Sequence, residues 1–317
     1  MSKQVLILGS QGHFGAAAAA AFSQAGWRVL CHARRPDAVL PAGARRVEAP
    51  LNDADALARQ ADGSALVIHA VNVPYPRWAR EALPLAQQAT AVAGRLGATL
   101  MLPGNVYNYS APMPSPLVEA AVQAPHTAKG AIRVAIEQHL QERSQVGQRC
   151  IVLRAGDFFV GGTSGWLGQA IAKSVEEGKL VYPGRLDAPH AWAHLPDLAR
   201  VAVALAERSD LPTFARFHFA GHTLTGQQLL DATEQAARSL GLGCAAPFKR
   251  GSMPWGLIRT LGLVVPMYRE LAEMAYLWDT PHALDDRALK RLLGDVPQTP
   301  LATVLQNCLR RPVLVPA

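Results

Sequence analysis

Charge is scarce in this chain. Of its 317 residues 17% are Asp, Glu, Lys or Arg, against 50% hydrophobic. That balance excludes wholesale disorder, because apolar surface is ample for a large core. Long apolar runs are missing as well. No uncharged apolar stretch reaches the roughly 18 residues that a membrane span needs, and Ala16–Phe22 is far too short. Cysteine is limited to Cys31, Cys150, Cys244 and Cys308, scattered and without Cys-x-x-Cys spacing. Free, buried thiols in a cytoplasmic protein are expected from that usage. Met1-Ser2-Lys3-Gln4 leads straight into a strand-like run, with no secretory h-region or cleavage site. His190, His194, His218 and His222 lie near one another in sequence and His69 sits on a strand, but no His-Glu-x-x-His spacing or acidic partner pattern accompanies them. No metal site is expected. The net charge of +7 is carried mostly by arginines spread along the chain, with tight pairs near the start at Arg34-Arg35 and Arg45-Arg46. A local basic pair fits a phosphate-bearing ligand more economically than nucleic acid.

What is present is a rhythm. Val5–Leu8 is a continuous apolar run, the mark of a buried parallel strand. Ala16–Ala25 is a strong helix former closed by Gly26. Further strands are expected at Trp27–Ala33, Arg45–Ala49, Ala65–Val71, Thr99–Leu102 and Cys150–Leu153, alternating with helices over Asp53–Gln60, Arg80–Leu96 and Ala128–Arg143. The alternation predicts an α/β fold with a Rossmann-type doubly wound parallel sheet. After Arg154 the pattern changes. Trp166–Glu177 and Leu198–Glu207 read as helices, Phe217–Ala220 as one more strand, and the chain beyond Thr225 as mainly helical between prolines. The expected division is a dinucleotide-binding domain over 1–155, completed by about 190–220, with 156–189 and 221–317 forming a smaller, mainly helical substrate lobe.

Gly9-Ser-Gln-Gly12-His-Phe-Gly15 follows the first strand and opens the first helix. In that context Gly9 permits a tight turn, Gly12 removes a side chain where a pyrophosphate must approach, and Gly15 lets the helix pack on the sheet. The free N–H groups of the helix start then face the phosphates. The cofactor set is therefore Gly9, Ser10, Gln11, Gly12, His13, Phe14 and Gly15. Val71-Asn72, Gly104-Asn105 and Gly156, which follow later strands, join it. At the end of the second strand, where an acid would hold the ribose 2′-hydroxyl of NAD, the chain has His32-Ala-Arg34-Arg35. Guanidinium in place of carboxylate favours a 2′-phosphate. NADP(H) is the expected cofactor, with NAD(H) possible; Arg34 is the main contact and Arg35 the reserve.

With its Gly-x-x-Gly-x-x-Gly turn, Val67-Ile-His-Ala70, Val106-Tyr107, Lys129, Leu153-Arg154-Ala-Gly156 and Trp192-Ala-His-Leu-Pro-Asp-Leu-Ala199, the chain resembles the extended short-chain dehydrogenase/reductases, the group of NAD-dependent epimerases and dehydratases. The resemblance implies hydride transfer at a nicotinamide, as a net reduction or as the transient oxidation of an epimerase or dehydratase, on a small molecule. It also leans toward a homodimer. The family's proton-transfer set is Tyr-x-x-x-Lys with a preceding Ser or Thr. Counted back from Lys129, the tyrosine position holds Pro125 and the serine position Pro103. That departure resembles the atypical members, some of which sense NADP instead of turning it over. A non-catalytic NADP(H) sensor is thus the alternative to an enzyme.

Within this frame Lys129 is expected to hold the nicotinamide ribose, and Tyr107 to replace the missing acid, its pKa lowered by Lys129. Tyr107 reads equally as a tyrosine packed beneath the lobe. Loops at strand ends on this side of the sheet form the ligand crevice. The substrate is therefore expected to meet Asp157, Phe158, Trp166, His190 and Trp192. Neither nucleic acid nor membrane is expected as a partner.

Overall fold

The computed structural model describes residues 3–33, 39–243 and 246–310. The first half runs β1 (Gln4–Leu8), α1 (His13–Gln24), β2 (Arg28–His32), β3 (Arg45–Val47), α2 (Ala54–Gln60), β4 (Leu66–His69), α3 (Trp78–Leu96), β5 (Thr99–Gly104), α4 (Ala128–Gln145) and β6 (Cys150–Arg154). The second half adds β7 (Asp157–Phe159), β8 (Lys179–Tyr182), β9 (Pro189–His194), α5 (Leu195–Ala206), β10 (Phe214–His218), β11 (His222–Thr225), α6 (Gly226–Ser239) and β12 (Lys249–Ser252). Five more helices close the chain: α7 (Trp255–Leu261), α8 (Pro266–Glu273), α9 (Tyr276–Asp279), α10 (Arg287–Leu293) and α11 (Leu301–Leu309).

Seven strands form one sheet in the order β10-β6-β5-β4-β1-β2-β3, every neighbouring pair parallel. Burial on both faces explains the unbroken apolar run of β1. Val5 and Ile7 pack with Ala18 and Phe22 of α1 and Leu198 and Val201 of α5. Leu6 and Leu8 face the other way, with Leu57 of α2, Val92 of α3 and Leu140 of α4. Strand order reverses at β1, whose neighbours are β2 and β4, and that reversal opens the crevice in which open α/β sheets bind ligands.

The lobe combines helices with two small sheets, β11-β9-β7 and β12-β8. His190 and Trp192, expected to meet substrate from a strand-end loop, belong instead to β9. That strand sits in the middle of its sheet, and residues two apart on a strand share a face. His190 and Trp192 therefore both turn inward, 2% and 0% exposed. His190 stacks on Trp278 at 4.4 Å, and Trp192 stacks on Phe159 at 4.9 Å.

Three buried histidines are held neutral by the fold. Burial, seconded by neighbouring arginines, pushes His69 and His218 down to about 4. Burial, with His190 adding to it, pushes His282 down to about 3. An unfolded histidine titrates near 6.5. Between about pH 6.5 and 4 the unfolded chain therefore binds more protons than the native one, and protonation favours unfolding. Stability from these groups is complete above about pH 6.5 and is lost as pH falls toward 4. Thermal melts across pH 7.5 to 4.5 should show Tm falling through that window; a flat profile would mean that these histidines titrate normally in the fold.

Candidate active site

The turn after β1 is shaped by sterics. Gly9 has φ +82°, and a Cβ there would lie 2.6 Å from the Ala70 carbonyl oxygen. A Cβ on Gly15 would meet the Gly9 oxygen at 2.2 Å. Gly12 is less constrained: a Cβ there would meet the Gly9 carbonyl oxygen at 3.3 Å, a tight contact but not a clash. Gly12 is the N-cap of α1 and offers no side-chain cap, which leaves the first-turn amides of a 12-residue helix unclaimed. They point at a cavity of about 670 Å³ that starts at Gly12, His13 and Phe14. Unclaimed amides beside a glycine with room in front of it fit a dinucleotide pyrophosphate. Ser10 supports the turn from below, its buried hydroxyl donating to the His32 carbonyl at 3.2 Å. Gln11 is exposed beside it. Arg34 and Arg35 lie outside the described residues.

From the turn the cavity runs past Val71, Asn72, Gly104, Asn105 and Gly156 into the lobe, where Asp157, Phe158 and Trp166 form part of its wall. Trp166 precedes a π-helical turn, Leu167–Ile171, a form often found at functional sites. Asp157 Oδ2 pairs with His190 Nε2 at 2.8 Å, so His190 stands behind the wall. Of the five expected substrate contacts, His190 and Trp192 do not reach the cavity.

Tyr107 does reach it, and its hydroxyl meets that of Tyr75 at 2.8 Å. Asn105 Oδ1 accepts from the Tyr107 amide, at 3.1 Å, and fixes the turn that presents the ring. Arg133 completes the group. Its guanidinium lies 4.9 Å from the Trp78 ring centroid, and its Nε is buried without a hydrogen-bond partner among the described residues. Burial raises both phenols. Tyr107 stands well above the ordinary tyrosine value, with Tyr75 and Asp157 adding to the rise and Arg133 opposing it. Tyr75 is raised for the same first reason. Burial lowers Arg133.

Lys129 does not line the cavity, although its Nζ lies 5.2 Å from the Tyr75 ring centroid. It is 1% exposed and salt-bridged to Glu270 and Glu273 of α8, and Glu273 also accepts from the Ala128 amide at the start of α4, at 2.7 Å. Lys129 is absent from the cavity wall, and the cation that acts on Tyr107 is Arg133. The expected lowering of the Tyr107 pKa by Lys129 is therefore overturned. The reason is periodicity. Side chains four apart on a helix share a face, but α4 begins only at Ala128, with Thr127 as its N-cap. Pro125 lies before the helix, so the i, i+4 pair it carries is Lys129 and Arg133. Sequence reasoning missed Arg133 although that spacing announced it. Tyr75, Trp78, Met253 and Met267 carry no local signal, since only the fold brings them to the cavity.

A parallel sheet with unclaimed helix-start amides at its switch point defines a dinucleotide-binding α/β protein. The sequence profile of the NAD dependent epimerase/dehydratase family matches residues 5–214, and the chain belongs to that family. No curated protein sequence matches at a significant level. Solved structures of similar fold include MoeE5 in complex with UDP-glucose and NAD, at 18% identity and TM-score 0.73, covering 96% of this chain and 97% of that one. UDP-N-acetylglucosamine 4-epimerase from Bacillus cereus is similar at 13% identity and TM-score 0.73, with the same coverage. Bordetella bronchiseptica WbmH in complex with NAD+ is similar at 19% identity and TM-score 0.72, covering 97% of each chain. Among the described residues no group of His, Cys, Asp or Glu could hold a metal ion, and no helix is long and apolar enough to cross a membrane.

Proposed function

We propose that this protein is an NADP(H)-dependent oxidoreductase that reduces a carbonyl group on a small molecule held between the sheet and the lobe. The observation that carries the reading is the Tyr75–Tyr107 hydroxyl pair beside Arg133, in the wall of a cavity that begins at the Gly-rich turn. A bound nicotinamide supplies hydride. The first-turn amides of α1 hold its pyrophosphate, and Arg34, backed by Arg35, holds the 2′-phosphate. Because α4 starts at Ala128, the Tyr-x-x-x-Lys register is moved here by one turn from the Pro125/Lys129 reading of the sequence, so that Lys129 takes the tyrosine position and Arg133 the lysine position, from which it donates to the nicotinamide ribose. Tyr107, with Tyr75 as its partner, donates to the substrate oxygen as negative charge develops there. Phenols raised this far are poor bases at neutral pH and remain competent donors.

Arg34→Ala is expected to weaken NADPH binding by about tenfold or more, the loss of a charge-assisted bidentate contact, and to leave NADH binding nearly unchanged. Calorimetry with both cofactors decides it: equal or tighter NADH binding by the parent protein refutes the NADP(H) preference. The reductase reading is tested by NADPH consumption over a panel of carbonyl compounds. Tight NADPH binding without turnover of any of them is the outcome that favours a cofactor sensor, a reading supported by the sealing of Lys129 at the family's tyrosine position.

A further inference from the structure

The two halves of the cavity differ in chemistry. The sheet side carries the cluster of polar groups, Asn72, Tyr75, Asn105, Tyr107 and Arg133, set among apolar side chains such as Val71, Trp78 and Leu102. In the lobe its wall is Phe158, Val160, Trp166, Met253, Met267 and Leu271, with Gln169 and Tyr268 as polar edges. Among the described lining residues Arg133 is the only lysine or arginine, and Asp157 the only acid. Of the two histidines of the wall, His69 is held near 4 by burial, and His13 sits at the cofactor turn, away from the lobe. Three cations of the lobe that lie outside the lining are engaged in ion pairs. Arg185 is paired with Asp187, Arg250 with Asp231 and Glu234, and Lys179 with Glu177.

A nucleotide sugar brings a diphosphate. Enclosing two phosphate charges in an apolar wall, near a carboxylate and without cations, forfeits their hydration for nothing. An uncharged ring forfeits little and gains contact with Trp166, whose own ring is held edge-on at 4.8 Å by the buried Trp278. Apolar walls with a few convergent polar groups are what small-molecule sites present.

We infer that the lobe half of the cavity takes an uncharged, ring-bearing carbonyl compound, anchored on Trp166 and Phe158, and not a nucleotide sugar. The inference rests on the reductase reading above. The carbonyl carbon accepts a hydride from the reduced nicotinamide and a C–H bond forms. The π pair moves to oxygen, which takes a proton from the Tyr107–Tyr75 pair, and solvent restores that proton. The products are the alcohol and the oxidised cofactor. The phenol pair and Arg133 lie at the polar end, so the carbonyl points toward the turn and the ring toward the lobe.

The test uses the full-length protein saturated with NADPH. Acetophenone, cyclohexanone and UDP-glucose are titrated separately, with binding read by tryptophan fluorescence and calorimetry and turnover by NADPH absorbance. Acetophenone or cyclohexanone should bind and consume NADPH, and UDP-glucose should do neither. Trp166→Ala should weaken acetophenone binding at least tenfold with NADPH affinity unchanged. Met267→Asp, at a position 42% exposed and therefore compatible with folding, should weaken it as well. Binding of UDP-glucose to the loaded protein overturns the inference and leaves the reductase reading standing, as does failure of both ketones to bind. Failure of NADPH itself to bind defeats the reductase reading, a result separable from the other two.

Discussion

Tyr107→Phe is expected to lower turnover by about 100-fold or more, with NADPH affinity nearly unchanged, because one positioned proton donor is removed. The substitution deletes a hydroxyl and keeps the ring, which packs 6.2 Å from the Trp78 ring. The turn holding it is fixed by backbone contacts that phenylalanine keeps, among them the Asn105 acceptor. Tyr75 also lines the cavity, so the variant retains one phenol, now without its 2.8 Å partner. Tyr75→Phe should consequently lower turnover too, and by less. The pH profile gives an independent reading. Burial raises both phenols above their ordinary values, so kcat should show no phenol limb between pH 7 and 9. A limb there would mean that a cation has lowered a phenol after all. A fully active Tyr107→Phe protein removes Tyr107 from the chemistry.

How much of this arrangement a reader can take from the sequence depends on the separation of the partners. The Gly-rich turn and the strands through β6 are legible because their causes are local: an apolar run, a glycine that must approach a carbonyl, a helix former behind it. Tyr107 and Asp157 are legible as residues just past strand ends. The misplacements share one cause. The resemblance to the family's lysine implies a ligand role for Lys129, but its carboxylate partners Glu270 and Glu273 come from a helix more than a hundred positions later and leave no local signal. His190 and Trp192 lie in a stretch rich in aromatic residues and proline, which in sequence looks like a crevice loop. Only the pairing of β9 with β7 and β11 turns them inward. Arg133 is the exception, since its i, i+4 relation to Lys129 was visible and only its direction needed the fold.

The polar hub beneath Tyr107 sets the second large effect. Glu137 of α4 is 2% exposed and accepts from Arg154 twice, at 2.9 and 2.5 Å, and from Arg216 at 3.1 Å. It also accepts from Asn108 at 3.1 Å and Gln123 at 3.2 Å, both in the segment that leads from Tyr107 to α4. Arg154 is wholly buried, and its remaining nitrogen bonds the Tyr109 hydroxyl at 2.8 Å and His218 at 3.2 Å. Glu137→Leu leaves the Arg154 guanidinium in the interior without a counter-ion. Breaking a buried pair from one side costs about 3–5 kcal/mol, which for a domain of this size lowers Tm by roughly 10 °C. Replacing both partners by apolar side chains removes the stranded charge, so Glu137→Leu with Arg154→Met should melt above Glu137→Leu alone. The double variant keeps an apolar core at this point but loses the anchor of the 105–123 segment. Its turnover should therefore stay low although its Tm recovers, because Tyr107 is no longer held against Tyr75. Melting curves and NADPH-linked kinetics on the single and double variants test both halves. A double variant no more stable than Glu137→Leu would show that the stranded charge is not what destabilises it. A double variant with full activity would show that the hub supports the fold without positioning the phenol.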